Sequence, residues 1–227
     1  MNRNLPRHLR LLIDNLRQVE RLLDIHSEIA GEKPGRKHNV EVLNKSAILM
    51  LVACWESYVE EVVSGAYKYL LNIAKTPNDF PIDVRLRASN ELRESKDPRR
   101  VWELAAKGWK DVLYEYRGKQ IESFNTPTSK KVNILCKALL NIEDVSGKIK
   151  IPRIKDSDIC PRLDTLVALR GAIAHKVKAD KSITKRMVQK DIKFIGTLAE
   201  SLNNIVSAYL KELVGGAPWD ECTISFE

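Results

Sequence analysis

Glycine and proline are scarce in this chain, ten and nine among 227 residues. So few turn-formers exclude a loop-rich β architecture and favour long helices. Cysteine is scarcer still: Cys54, Cys136, Cys160 and Cys222 stand far apart, with no CxxC pair and no histidine at ligand spacing. A zinc site or disulfide framework is thereby disfavoured, and a reducing compartment fits. No Asp, Glu or His cluster stands at ligand spacing either, so neither a metal nor a cofactor is expected. Long apolar runs are missing too. The longest, Ala47 to Trp55, is far short of the ~20 residues that span a bilayer. The opening MNRNLPRH lacks the apolar stretch of a signal peptide, so a soluble cytoplasmic chain with no membrane partner is expected. Strand-like alternation of useful length, internal repeats and low-complexity segments are likewise missing.

The composition is 44% hydrophobic and 30% charged, enough apolar residues for a sizeable core and a balance that argues against disorder. One large domain, or a core with an insertion, suits the length. The formal net charge is +8. From Lys148 to Lys193 there are 13 Lys/Arg against 5 Asp/Glu, so that stretch carries the whole excess. Such a concentration suits a polyanion such as RNA, and it equally suits a solvated basic face on a high-pI protein.

Apolar periodicity predicts an all-α protein. Leu5 to Ala30 reads as a first helix, with Leu9, Leu12, Ile13, Leu16, Val19, Leu23 and Ile29 at three- and four-residue steps, stopped by Gly31 to Gly35. A long second helix runs from Val40 to Lys75. Residues 77–130 are less regular and read as an insertion, with Pro98 at a helix start and Val101 to Tyr116 as its main helix. A short helix, Lys130 to Leu140, follows the turn at Asn125 to Ser129, and Ile142 to Ser157 reads as a loop. Asp158 to Val177 forms another helix, and after a turn at Asp180 to Thr184 a strongly periodic one continues to Val214. The expected architecture is an antiparallel helical bundle of four long helices with an inserted smaller helical pair. Residues 1–214 form one domain, and residues 215–227 are an acidic tail beyond Gly215-Gly216.

Two charged residues sit where helical geometry asks for apolar ones. At about 100° per residue, Leu163, Leu166, Val167, Ile173, Ala174 and Val177 make one apolar stripe, and Arg170 falls in its middle. A guanidinium there is costly unless paired or facing a cleft. Glu56 stands among Leu49, Val52, Ala53, Val59 and Val63 in the same way. The two are each other's obvious partners, either to orient Arg170 for catalysis or simply to join two helices. His175 lies about 140° around the helix and about 7.5 Å along it from Arg170. It shares its face with Asp164, Ala168, Gly171 and Ala172, a strip small enough for a second helix to approach closely. A two-fold partner could be that helix, bringing a second Arg–His pair. On spacing alone, His175 is equally an exposed helix-end histidine interacting with the helix dipole.

At these residues the chain resembles the HEPN superfamily, helical domains marked by an arginine, four to six residues and a histidine. Here the string is RGAIAH, Arg170 to His175. Val40 to Glu61 (VEVLNKSAILMLVACWESYVEE) is similar to the early helix of the RiboL-PSP-HEPN group, and Phe124 to Ser129 with the following helix to its middle region. The resemblance covers about residues 38–178. It implies a metal-independent endoribonuclease acting as a homodimer, commonly a toxin or phage-defence effector, in which the ribose 2′-OH attacks the adjacent phosphate. On that resemblance Arg170 stabilises phosphorane charge, His175 moves the proton, and Glu56 matches the acidic position of the early helix. A nucleotidyltransferase-like antitoxin is a partner implied by the family alone. One departure stands out: the residue after the arginine is often polar in active members, and here it is Gly171. The alternative expectation is therefore a catalytically inactive HEPN-like module that binds RNA, a nucleotide or a protein.

Overall fold

The computed structural model describes residues 5–30, 40–176 and 182–224. The expected stop at 31–35, Val177 of the apolar stripe, and the turn residues 180–181 lie outside the described residues. Among those described, the regular structure is helical throughout, without strands. Eight α-helices follow in order: α1 (Arg7–Ala30), α2 (Glu41–Ile73), α3 (Ile82–Arg93), α4 (Gly108–Ser123), α5 (Ser129–Leu140), α6 (Val145–Lys148), α7 (Asp156–Lys176) and α8 (Lys185–Val214). Tight 3-10 turns at Pro77–Asp79 and Pro98–Leu104 punctuate the inserted region.

The longest apolar run of the sequence lies in α2, and α2 is the helix the others surround. It packs against α1, α4, α5, α7 and α8, so it is apolar around most of its circumference, as a central helix must be. Trp55 and Tyr67 are among its fully buried side chains, and each large side chain so buried contributes roughly 1.5–3 kcal/mol. Helices α1 and α8 are amphipathic instead. Leu9, Leu12, Leu16, Val19 and Leu23 of α1, and Val188, Ile192, Ile195, Leu198, Leu202 and Val206 of α8, line the core at three- and four-residue steps.

Buried hydrogen bonds fix the directions. Asn44 Nδ2 donates to the Ile183 carbonyl at 2.8 Å, and the Tyr58 hydroxyl donates to the Ala199 carbonyl at 2.6 Å. Helices α2 and α8 therefore run parallel. His8 meets Asn203 while Lys185 meets Ser27, so α1 runs against α8, and against α2 as well. The chain entering α7 touches α8 at Ser201 through the Lys150 amide, and Arg162 then reaches Asp191. Helix α7 thus descends α8 in the opposite sense.

The inserted region departs from expectation at its main helix. Val101 to Leu104 are not α-helical but form the 3-10 turn after Pro98, and α4 starts only at Gly108. Gly108 explains the break. A Cβ there would lie 1.9 Å from the Glu103 carbonyl oxygen, so only glycine lets the chain fold back this closely. Ala106 just before it takes a φ of 53°, and Trp102 is left 77% exposed. The smaller helical pair is α3 and α4, tied to α2 by Tyr67, whose hydroxyl donates to the Leu113 carbonyl at 2.9 Å.

Residues 142–157, expected as a loop, contain the single-turn α6. Asp144 accepts the Gly147 amide hydrogen, and buried Val145, Ile149 and Ile151 pin the segment to the core. The stretch after α8 is bound as well. Trp219 meets His8 edge-on at 4.5 Å, the Ser207 hydroxyl donates to the Trp219 carbonyl, and the Ile224 amide donates to Glu200 at 2.7 Å.

Candidate functional site

The two out-of-place charges find each other. Arg170 Nη2 lies 3.9 Å from Glu56 Oε2, with the arginine side chain 35% and the glutamate 21% exposed. At that separation the pair is electrostatic rather than hydrogen-bonded. Glu56 Oε2 is buried and has no hydrogen-bond partner among the described residues. The guanidinium is therefore held near a carboxylate without being saturated by it.

Around this pair the bundle leaves a face open. On α7, Leu163, Leu166, Val167 and Ile173 are buried as the stripe requires, whereas Ala174, expected within it, is exposed. On α2, Val52, Val59 and Val63 are buried but Ala53 is exposed. Leu49, Ala53, Glu56, Ser57 and Glu60 fall within about 100° of arc, and all are half-buried or exposed. This is the side of α2 that its neighbours leave uncovered. Glu60, one turn from Glu56, is a member of that face that sequence patterning alone does not single out. Burial, and then repulsion from Glu56 and Glu61, raises its carboxyl above the ordinary value.

His175 lies one residue before the end of α7 and is exposed. Of the four residues expected to share its face, Ala168 is exposed and Gly171 and Ala172 are half-buried. A Cβ on Gly171 would meet nothing within 4 Å, so among the described residues no element of the same protomer uses the gap it leaves. Asp164 serves another purpose. It accepts the Ser129 amide at 2.7 Å and the Ser129 hydroxyl at 2.9 Å, holding the first turn of α5. A carboxylate is well placed at a helix N-terminus, where backbone N–H groups lack intrahelical partners.

The segment before α5 is held from the other side by Trp55, whose indole Nε1 donates to the Pro127 carbonyl at 3.1 Å. Residues 127–129 therefore bridge α2 next to Glu56 and α7 six residues before Arg170. Just before the first anchor Thr126 takes a φ of 55°. A β-branched residue in the left-handed region costs roughly 1–3 kcal/mol, and such strain gathers at functional sites.

The profile of the RiboL-PSP-HEPN family matches residues 10–208. The chain belongs to the RiboL-PSP-HEPN family. The match extends beyond the stretch of similarity at 38–178 to take in α1 and most of α8. Membership of this HEPN group ties the chain to RNA-related, nuclease-type functions. No curated protein and no solved structure matches the chain significantly.

Other chemistries find less support in this HEPN domain. Among the described residues, no group of three or more His, Cys, Asp or Glu is arranged to hold a metal ion. Burial pushes the Cys54 thiol up to about 11 and the Cys136 thiol up to about 12, the opposite of what a cysteine nucleophile needs. Among the described residues, no helix is long and apolar enough to cross a membrane.

Proposed function

We propose that the protein is a metal-independent endoribonuclease that cleaves RNA through a composite Arg170/His175 site at a homodimer interface, acting as a toxin or phage-defence effector in the cytoplasm. The observation that carries this reading is the half-buried Arg170, held 3.9 Å from Glu56 in an otherwise apolar stripe of a HEPN motif helix. An arginine kept there has a task that a core residue would not need.

In the reaction the ribose 2′-oxygen attacks the neighbouring phosphorus while the P–O5′ bond breaks, leaving a 2′,3′-cyclic phosphate and a 5′-hydroxyl. Arg170 offsets the charge that builds on the phosphorane oxygens. His175 takes the 2′-OH proton, and solvent supplies a proton to the departing O5′. Glu56 positions Arg170. The exposed small residues of α2 and α7, Ala53, Ser57, Ala168 and Ala174, offer the flat surface that a second α7 needs for close approach.

Incubating the purified protein with mixed RNAs in EDTA tests this directly. Cleavage with cyclic-phosphate ends is expected, and its loss in His175→Ala and Arg170→Ala. Intact RNA both with and without metal would refute it. If the protein is a toxin, the same substitutions relieve growth inhibition, and a nucleotidyltransferase-like antitoxin is the partner that family analogy suggests.

Gly171 favours a second reading. In place of the polar side chain common in active members, it presents open space. A catalytically inactive HEPN-like module binding RNA, a nucleotide or a protein would retain that binding in His175→Ala, with no cleavage in either form.

A further inference from the structure

The basic excess of residues 148–193 resolves into a surface feature separate from the Arg170 pair. On α8, Arg186, Lys190, Lys193, Thr197, Ser201, Asn204 and Ala208 fall within about 80° of arc. They form one stripe, basic in its first half and neutral beyond, about 33 Å long. Arg186, Lys190 and Lys193 are all exposed.

The stripe is the floor of a cleft. A cavity of about 770 Å³ opens over its middle, walled by Lys148 to Arg153 on one side and by Glu221 to Ile224 on the other. Most polar groups of the cleft are already engaged. Ser201 accepts the Lys150 amide hydrogen, Glu200 accepts the Ile224 amide hydrogen, Asn204 bonds Cys222, and Lys150 pairs with Asp156. Lys148, Arg153 and Lys193 remain at the rim, each exposed. Arg153 holds its place with a φ of 66°, a left-handed conformation that an arginine adopts only under constraint.

The cleft has a direction. Arg162 of α7 binds Asp191, and its guanidinium lies 4.3 Å over the Phe194 ring. Arg170 and His175 lie roughly 12–20 Å further along α7, toward the end of α8 where Arg186 and Lys190 stand. We propose that this cleft and the basic half of the stripe bind the phosphodiester backbone of single-stranded RNA and lead it to Arg170 and His175. The proposal rests on the ribonuclease reading for what the RNA is delivered to. It adds where the flanking nucleotides bind. Exposed cations around a floor whose Glu200, Ser201 and Asn204 side chains are already hydrogen-bonded suit contact with phosphates rather than bases.

The test is fluorescence anisotropy with a labelled 2′-O-methyl RNA of mixed sequence, which cannot be cleaved because the attacking hydroxyl is blocked. Each lost phosphate contact on a single strand lowers the log–log salt slope by about 0.7. The variant Lys148→Glu/Arg153→Glu/Lys193→Glu should therefore lose about 2 from the slope and between tenfold and a hundredfold in affinity near 0.1 M salt. With cleavable RNA its KM rises while kcat holds. A control of equal charge change on exposed residues of the insertion, Arg93→Glu/Lys96→Glu/Lys107→Glu, should bind nearly as the parent does. Should the triple variant fold poorly, Lys193→Gln alone is expected to cost about fivefold. Unchanged binding in the cleft variants, or equal loss in both triples, overturns the proposal. Binding that depends on the cleft in a protein that cleaves nothing upholds it, and refutes the ribonuclease reading alone.

Discussion

The Arg170–Glu56 pair is the interaction on which the site turns, and its strength can be bounded. At 3.9 Å and an effective dielectric of about 20, the gross attraction is about 4 kcal/mol. Partial exposure of both side chains and the lack of a hydrogen bond reduce this, and desolvation offsets more of it. A net coupling of about 1–2 kcal/mol is expected. Arg170→Ala leaves the buried, hydrogen-bond-free Glu56 oxygen beside no compensating guanidinium, and should cost about 2–3 kcal/mol. Glu56→Gln removes the buried charge and should cost less than about 1 kcal/mol. In the double variant the two costs should fail to add by the coupling. Urea unfolding followed by circular dichroism at one fixed protomer concentration measures all four corners, because dimerisation would otherwise shift apparent stability. A coupling below about 0.3 kcal/mol lies within ordinary additivity. It would show that Glu56 does not hold Arg170, and the positioning role would have to be abandoned.

Two further outcomes follow from single positions. Gly171→Ala should stabilise the dilute protomer by about 0.5–1 kcal/mol, since it adds a helix former where a Cβ meets nothing. The bulkier Gly171→Leu should keep the fold but abolish association and cleavage. Association unaffected by leucine, read by light scattering, would remove this face from the interface. Burial lowers the affinity of His8 for a proton, outweighing its bond to Asn203 and its attraction to Glu61. A histidine with a depressed folded value contributes full stability above its ordinary 6.5 and loses it as pH falls through the folded value. Trp219 fluorescence should therefore report a weaker fold below about pH 6.5, and His8→Gln should flatten that dependence. An unchanged profile in His8→Gln would refute the assignment.

Helix periodicity was a sufficient guide where burial decides structure. Most of the apolar positions of α1, α2 and α8 read directly as core faces, with Ile29, Ile73 and Leu213 near the helix ends left exposed, and the two charges interrupting such stripes proved to be neighbours. It was insufficient where local geometry overrides burial. Val101, Trp102 and Leu104 have the spacing of a helix, yet Gly108 and its approach to Glu103 break the chain there and leave Trp102 exposed. Asp164 lies on the His175 face by angle, but the unpaired amide of Ser129 claims its carboxylate. The docking of Trp219 on His8 joins residues from opposite ends of the chain. No local pattern encodes that contact.

His175 is the residue for which one protomer is least sufficient. It is exposed, while Arg170 turns toward Glu56, about 140° away around the same helix. In the proposed reaction His175 has to reach the 2′-hydroxyl beside the phosphate that Arg170 would stabilise, and a straight helix does not bring the two together. If each site takes its arginine from one protomer and its histidine from the other, inactive variants should complement. Mixing and refolding Arg170→Ala with His175→Ala in equal amounts makes about half the dimers heterodimers. Each of these has one intact site and one doubly defective site. Activity should return to about a quarter of the parent level, although neither variant is active alone. Size-exclusion chromatography with two distinct affinity tags isolates the heterodimer, which should then show about half the parent rate. A heterodimer without activity would refute this division of labour between the protomers.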